Sequence, residues 1–355
     1  MKNFFLKCSY TTKRFIGCFF LFFVAYQSES FGKESASLTD KPFKVYVVCW
    51  TGENDLSKGF KNYWKTRNIN VELIIRDCNQ DRKICHALVD EIRSAKPDLV
   101  FTLGTPTCEE IGGKIDAPNK QDYIWDIPIV SVAVTDPISS KLIYSLEKTG
   151  RNITGVNHIP PVSSHIEAMK SYVSNLKSIA ALYNPSESNS QVIVNELKKQ
   201  IAGTQIQLHD HPLELDENKN PTTESIKAEI EKIATEGSDF IYIPPDNSLS
   251  TAIETVVEEA NKHRLLTFAT IELQFIKEIK PLMGLISHFF DVGLFGGYKA
   301  EQILVKKMKP EEIPYEKLKE FSFVISQKTF KEIKSIPPLT VLRIAEIIQD
   351  THHKE

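Results

Sequence analysis

The chain has none of the short motifs that mark the common catalytic and nucleotide-binding chemistries. No GxGxxG follows its first strand-like segment, and GxxxxGK[ST], GxSxG and HExxH occur nowhere. A dinucleotide site, a phosphate loop, a nucleophile elbow and a zinc-peptidase helix are thus not signalled, and neither an enzyme nor a cofactor is expected. The six cysteines contain no CxxC and the nine histidines no HxxxH, so zinc has no ligand spacing to support it. His209 and His211 alternate along one edge and His352-His353 end a polar tail; both pairs read as solvated rather than metal-bound. Lysine and arginine form no stripe interleaved with aromatics, which argues against nucleic-acid binding.

A long apolar run is also missing. The run at 15–26 spans about a dozen residues, short of the ~20 a membrane helix needs. Lys2, Lys7, Lys13 and Arg14 precede it, and Gln27, Ser28 and Ser30 follow. That order is a secretory signal, so residues 1–30 are expected to direct export to the periplasm, or to tether the chain if retained. Cys18 precedes most of the run, which argues against a lipid-modified cysteine. Cleavage near Ser30 removes four cationic side chains and Glu29, taking the net charge from −3 to about −6. Cys49, Cys78, Cys85 and Cys108 remain, an even number in an oxidising compartment. One or two disulfides, with Cys78 and Cys85 nearest in sequence, and free buried thiols are both open readings.

What is present is alternation. The 355 residues suffice for two domains, and 41% hydrophobic with 25% charged residues is a folded composition. After a polar linker at 31–41, strands are expected at 43–50, 71–76, 99–103 and 127–134, separated by helices at 55–67 and 81–96. Short apolar strands alternating with amphipathic helices build a parallel sheet with right-handed crossovers. The segment 127–156 organises the rest. Its apolar strand ends in Thr135-Asp136-Pro137, and the spacing predicts a helix at 138–148. Asp136 either caps that helix or contacts a ligand, since ligands sit beyond the carboxyl ends of such strands. Gly104-Thr105-Pro106-Thr107 turns the preceding strand into a helix whose free N–H groups suit an anion; an ordinary cap is the alternative.

Past Gly155 the pattern restarts. Helices are expected at 166–173, 190–201 and 226–235, and strands at 179–183, 205–215 and 240–243, with polar exits at Asn184 and at Asp246-Asn247. Two α/β halves whose strand ends carry polar residues suggest a clamp around a small molecule. The assignment is residues 42–157 for one lobe, completed by about 286–312, and 158–285 for the other, completed by about 323–355.

The runs GTPT, IPIVSVAVTDPISSKLIYSL, NITGV, ALYNPSESNS, IYIPPDNSLSTAI and FFDVGLFGGYKAEQIL, in that order over about 44–348, carry a resemblance. Together they resemble the ABC-transporter substrate-binding proteins typified by tryptophan- and tyrosine-binding members. The resemblance implies a type I periplasmic-binding-protein fold: two Rossmann-like lobes joined by a multi-crossing hinge, a ligand enclosed between them, and a monomer delivering cargo to a membrane permease with its ATPase. It places Thr105, Thr107, Thr135, Asp136, Asn184, Asp246 and Asn247 in ligand-facing loops, and Phe289 and Asp291 in a late motif. Cys49-Trp50-Thr51-Gly52 and the charged stretch 270–279 depart from the family pattern. The expected cargo is a zwitterion such as an amino acid. Its carboxylate would take Thr105, Thr107 and Thr135, its ammonium Asp246 or Asp136, and an aromatic side chain would stack on Trp50, Phe289 or Phe290. Core packing is the plain alternative for each aromatic. An extracytoplasmic sensor built on the same clamp is the rival reading; a sensor is expected to run on into a membrane helix and a signalling domain, absent from these 355 residues.

Overall fold

Four largely apolar strands buried under helices, β1 (Phe43–Cys49), β3 (Leu99–Leu103), β4 (Ile129–Val132) and β5 (Ile153–Asn157), form the first sheet with a half-buried edge strand, β2 (Val71–Asp77). The computed structural model describes residues 41–349, so the expected signal segment, nearly all of the linker and His352-His353 lie outside the described residues. All pairings in this sheet are parallel, and a late two-residue strand, β11 (Glu316–Lys317), joins its β5 edge, giving the order β11-β5-β4-β3-β1-β2.

The second sheet runs β13-β12-β10-β9-β8-β6-β7. Its strands are β6 (Ser178–Tyr183), β7 (Gln207–Pro212), β8 (Phe240–Ile243), β9 (Leu266–Ala269), β10 (Met283–Ile286), β12 (Ser322–Ser326) and β13 (Glu346–Ile348). It is parallel except where β10 meets β12, which is antiparallel. The helices are α1 (Asp55–Arg67), α2 (Arg82–Ala95) and α3 (Thr105–Gly112), then α4 (Val162–Tyr172), α5 (Ser188–Ile201), α6 (Thr223–Glu236), α7 (Asn247–Thr251) and α8 (Ile253–Lys262), and finally α9 (Phe289–Leu304), α10 (Gln327–Glu332) and α11 (Leu339–Ile344). The fold is thus the expected α/β architecture of two Rossmann-like lobes. The chain passes between the sheets after β5, after β10, and between β11 and β12.

Helix α9 returns to the first lobe and lies against α1 at backbone contact. A methyl on Gly59 would collide with the Phe290 carbonyl oxygen, and one on Gly293 with that of Leu56, so glycine is needed on both sides of the crossing. Lys299, almost wholly buried on α9, donates to the Pro314 carbonyl (2.8 Å) and pairs with Glu316, tying β11 to the helix. Arg151 is likewise buried. It donates to the carbonyls of Gly112 and Gly113 (2.6 Å each) and stacks 3.6 Å from the Trp125 ring, closing the end of α3.

The helix expected at 138–148 does not form. Asp136 caps a single turn, with its Oδ1 accepting from Ile138 and Ser139 (3.0 Å each). Lys141 then adopts a left-handed conformation (φ 56°), and its carbonyl is taken by the Ile115 N–H (2.8 Å). Leu142 and Ile143 are buried by this turn rather than by a helical stripe, so apolar spacing alone misled. The cysteines Cys49, Cys78, Cys85 and Cys108 are all free, buried thiols. Burial foremost pushes the Cys49 thiol up to about 12, so it is a core group rather than a nucleophile.

Candidate ligand-binding cleft

Parallel strands of both lobes end toward one chamber of about 60 Å³, as open α/β sheets place their ligand crevices. From the first lobe come Trp50 after β1, Gly104 and Thr105 after β3, and Ala133 and Thr135 after β4. The second lobe supplies Asn189 on α5, Pro245 and Asn247 after β8, and Ile271 and Leu273 after β9. His158 after β5 and Phe289 at the start of α9 come from the crossing segments. The chamber shares Trp50, Thr105, Asn189 and Asn247 with an outer vestibule of about 770 Å³.

The two spaces differ in charge. Among the described residues no Asp, Glu, Lys or Arg lines the chamber, whereas Arg82, Glu109, Lys114, Glu187 and Lys219 line the vestibule. Two polar ring atoms on the chamber wall are buried without a hydrogen-bond partner: Trp50 Nε1 and His158 Nδ1. His158 is 3% exposed and stands edge-on to Phe289, with ring centroids 5.8 Å apart. Burial lowers its pKa to about 3, so it is a neutral imidazole at any physiological pH. A buried polar atom left unpaired costs about 1–3 kcal/mol, which a bound guest can recover.

The two lobes also present helix N-termini differently. Helix α3 begins at Gly104 (φ 94°) with no side-chain cap; Pro106 carries no N–H and Thr107 is wholly buried, so Thr105 is the first-turn residue at the junction of chamber and vestibule. The N-terminus of α7 is already filled. Asp246 Oδ1 accepts from Leu249 N (2.9 Å), and Glu187 accepts from the Asn247 and Ser248 N–H groups (2.9 and 2.8 Å).

Among residues expected from sequence, Trp50, Thr105, Thr135, Asn247 and Phe289 line the chamber and Asn184 the vestibule. The others lie elsewhere. Thr107 is wholly buried, and its hydroxyl donates to the Leu103 and Gly104 carbonyls (2.8 Å each), so it fastens α3 to β3. Asp136 faces another groove of about 540 Å³ along 135–139, 157 and 159–163. Asp291 lines a hollow of about 500 Å³ with His288 and Glu316, and Phe290 is exposed on α9. Asp246 is 1% exposed and accepts from Asn184 N and Ser190 Oγ (2.8 Å each) as well as Leu249. Burial and then the Glu187 carboxylate raise its pKa to about 7, against the pull of those donors. It braces the floor of the vestibule rather than facing the space above.

Sequence reading passed over His158, Asn189, Ile271 and Leu273. His158 could have been found by the rule used for Thr105 and Thr135, since it directly follows the β5 strand.

A family model described as ABC transporter substrate binding protein matches residues 53–346. A tyrosine-binding protein from Clostridioides difficile (strain R20291) is 24% identical over 279 residues, which is 78% of this chain and 73% of that protein. A conserved domain protein from Vibrio cholerae has a crystal structure that superposes with a TM-score of 0.74 at 25% identity, covering 86% of this chain and 99% of that one. The ABC domain in complex with L-Trp from Streptococcus pneumonia superposes at 0.71 and 23% identity, covering 86% and 100%.

Proposed function

Since this chain belongs to the ABC transporter substrate binding protein family, we propose that it is the extracytoplasmic component of an importer, clamping an aromatic amino acid between its lobes for delivery to a membrane permease driven by an ATPase. The observation that carries the reading is the chamber wall: uncharged, with Trp50, Phe289, Leu56, Leu103, Ile271 and Leu273 around two unpartnered ring nitrogens. Such a wall suits a flat apolar side chain bearing one or two hydrogen-bonding groups, and it disfavours a charged one. The named relatives, one tyrosine-binding and one complexed with L-Trp, support the same ligand class.

In this reading the ring occupies the chamber and the zwitterionic end extends into the vestibule. The ligand carboxylate takes the Thr105 N–H and hydroxyl at the uncapped start of α3, as an anion at a helix N-terminus does. The ammonium faces Glu187, the one of the vestibule carboxylates that accepts from Asn247 and Ser248. No bond in the guest is made or broken. Because the wall is drawn from both lobes, contacts bridging them exist only when the lobes are closed, so the guest shifts the population toward the closed form and the permease reads that shape.

Calorimetric titration of the purified protein with single amino acids and sugars tests this. Tight 1:1 binding of tyrosine, tryptophan or phenylalanine, with none of lysine, aspartate or ribose, is expected. Preference for a charged or sugar ligand would sink the assignment.

A further inference from the structure

On the edge of the second lobe, away from the cleft, β7 and α6 bring together a set of side chains that the binding function does not use. His209 and His211 are two apart on the outermost strand of the sheet, so their side chains leave the same face. Both meet Glu236, the last residue of α6. His209 Nδ1 and His211 Nε2 each stand 3.1 Å from the same oxygen, Glu236 Oε2, and the three ligand atoms all lie within 4.8 Å of one another. Donor atoms around a tetrahedral zinc ion at 2.0–2.1 Å are roughly 3.3 Å apart, so little movement would admit an ion among them.

The far side of His211 carries a second observation. Its Nδ1 is 3.1 Å from Glu229 Oε2, two turns earlier on the same helix, and the His211 side chain is only 5% exposed. His211 therefore faces a carboxylate from each ring nitrogen, while a neutral imidazole can donate from one. A second ring proton would serve both carboxylates, and so would a divalent cation at Nε2: Nδ1–H then donates to Glu229, and Nε2 is left as a lone-pair ligand. A carboxylate behind a ligating histidine orients the ring and raises its basicity. Lys232 holds the other Glu229 oxygen, fixing that carboxylate in place. His209 and Glu236 are 30% and 42% exposed, which leaves a solvent-facing position for a fourth ligand such as water. The expectation that these histidines are merely solvated does not describe His211.

We propose that His209, His211 and Glu236 form a binding site for one borderline divalent transition-metal ion, zinc being the best fit to two imidazoles and a carboxylate, with Glu229 as its positioning residue. The ion would pin the edge strand β7 to the end of α6 and blunt an exposed sheet edge. No sequence motif announces it, because its ligands come from a strand and from a helix end 25 residues later.

Full-length protein stripped with chelator and titrated calorimetrically with zinc chloride, with magnesium chloride as control, tests the site. One zinc per chain, no magnesium, and a raised melting temperature are expected. Glu236→Gln and His209→Ala, both partly exposed and so tolerable to the fold, should abolish the one-to-one step, as should His211→Ala. Glu229→Gln should keep the stoichiometry and weaken affinity by about 10–100-fold. Zinc bound no better than magnesium, zinc binding unchanged in His209→Ala and Glu236→Gln, or binding lost only when His352 and His353 are replaced would each overturn the proposal.

Discussion

His165 offers a measurement of what burial does to a titrating group in this fold. It is wholly buried on α4, with Nδ1 2.9 Å from the Tyr242 hydroxyl and its ring 5.5 Å from that of Phe268. Burial lowers its pKa to about 3, and does the same to His158. In the unfolded chain each titrates near 6.5. Between those values the unfolded state holds more protons than the folded one, so stability is full above pH 6.5 and is lost as pH falls toward 3. At pH 5, about a pH unit and a half below 6.5, the loss is about 2 kcal/mol for each histidine at ~1.36 kcal/mol per pH unit, and about 4 kcal/mol for the pair. His165→Met keeps the apolar volume but leaves the Tyr242 hydroxyl unpaired, which costs about 1–3 kcal/mol at every pH. The variant's stability curve should therefore lie lower but be flatter, by about 2 kcal/mol between pH 7.5 and pH 5. Urea unfolding followed by circular dichroism at several pH values reads both terms, and curves for the two proteins that run parallel through this range would refute the reasoning.

Three further outcomes are expected. Trp50→Phe removes the unpartnered indole N–H with part of the ring surface and should weaken the aromatic ligand by about tenfold, while Trp50→Ala removes the whole stacking surface and should weaken it further; calorimetry reads both, and unchanged affinity in Trp50→Ala would exclude the residue from the site. Gly293→Ala drives a methyl into the Leu56 carbonyl and should destabilise by at least about 1–3 kcal/mol; an unaltered melting temperature would show that α1 and α9 are not at backbone contact. Arg151→Met leaves the Gly112 and Gly113 carbonyls without their donor and should cost about 2 kcal/mol or more of unfolding free energy, read as a lowered denaturant midpoint at unchanged slope, with ligand affinity per folded molecule little changed.

The sequence alone determined the architecture, because the strands of a sheet covered on both faces must be continuously apolar. Segments such as Leu99–Leu103 and Phe240–Ile243 therefore stand out at their observed bounds. Strand-end positions followed from the same logic, which is why Trp50, Thr105, Thr135 and Asn247 were legible as wall residues. Which of the polar strand-end side chains line the chamber was not legible. Asp136, Asp246 and Thr107 are polar at strand ends too, yet local backbone donors and acceptors engage them first, and that competition is resolved only once the turns are built. Tertiary structure alone decided that Lys141 breaks a helical pattern, that His158 is buried with a free nitrogen, and that His209, His211 and Glu236 converge. Periodicity is a local property that each segment carries in itself; convergence of side chains depends on how distant segments are packed, which no segment encodes.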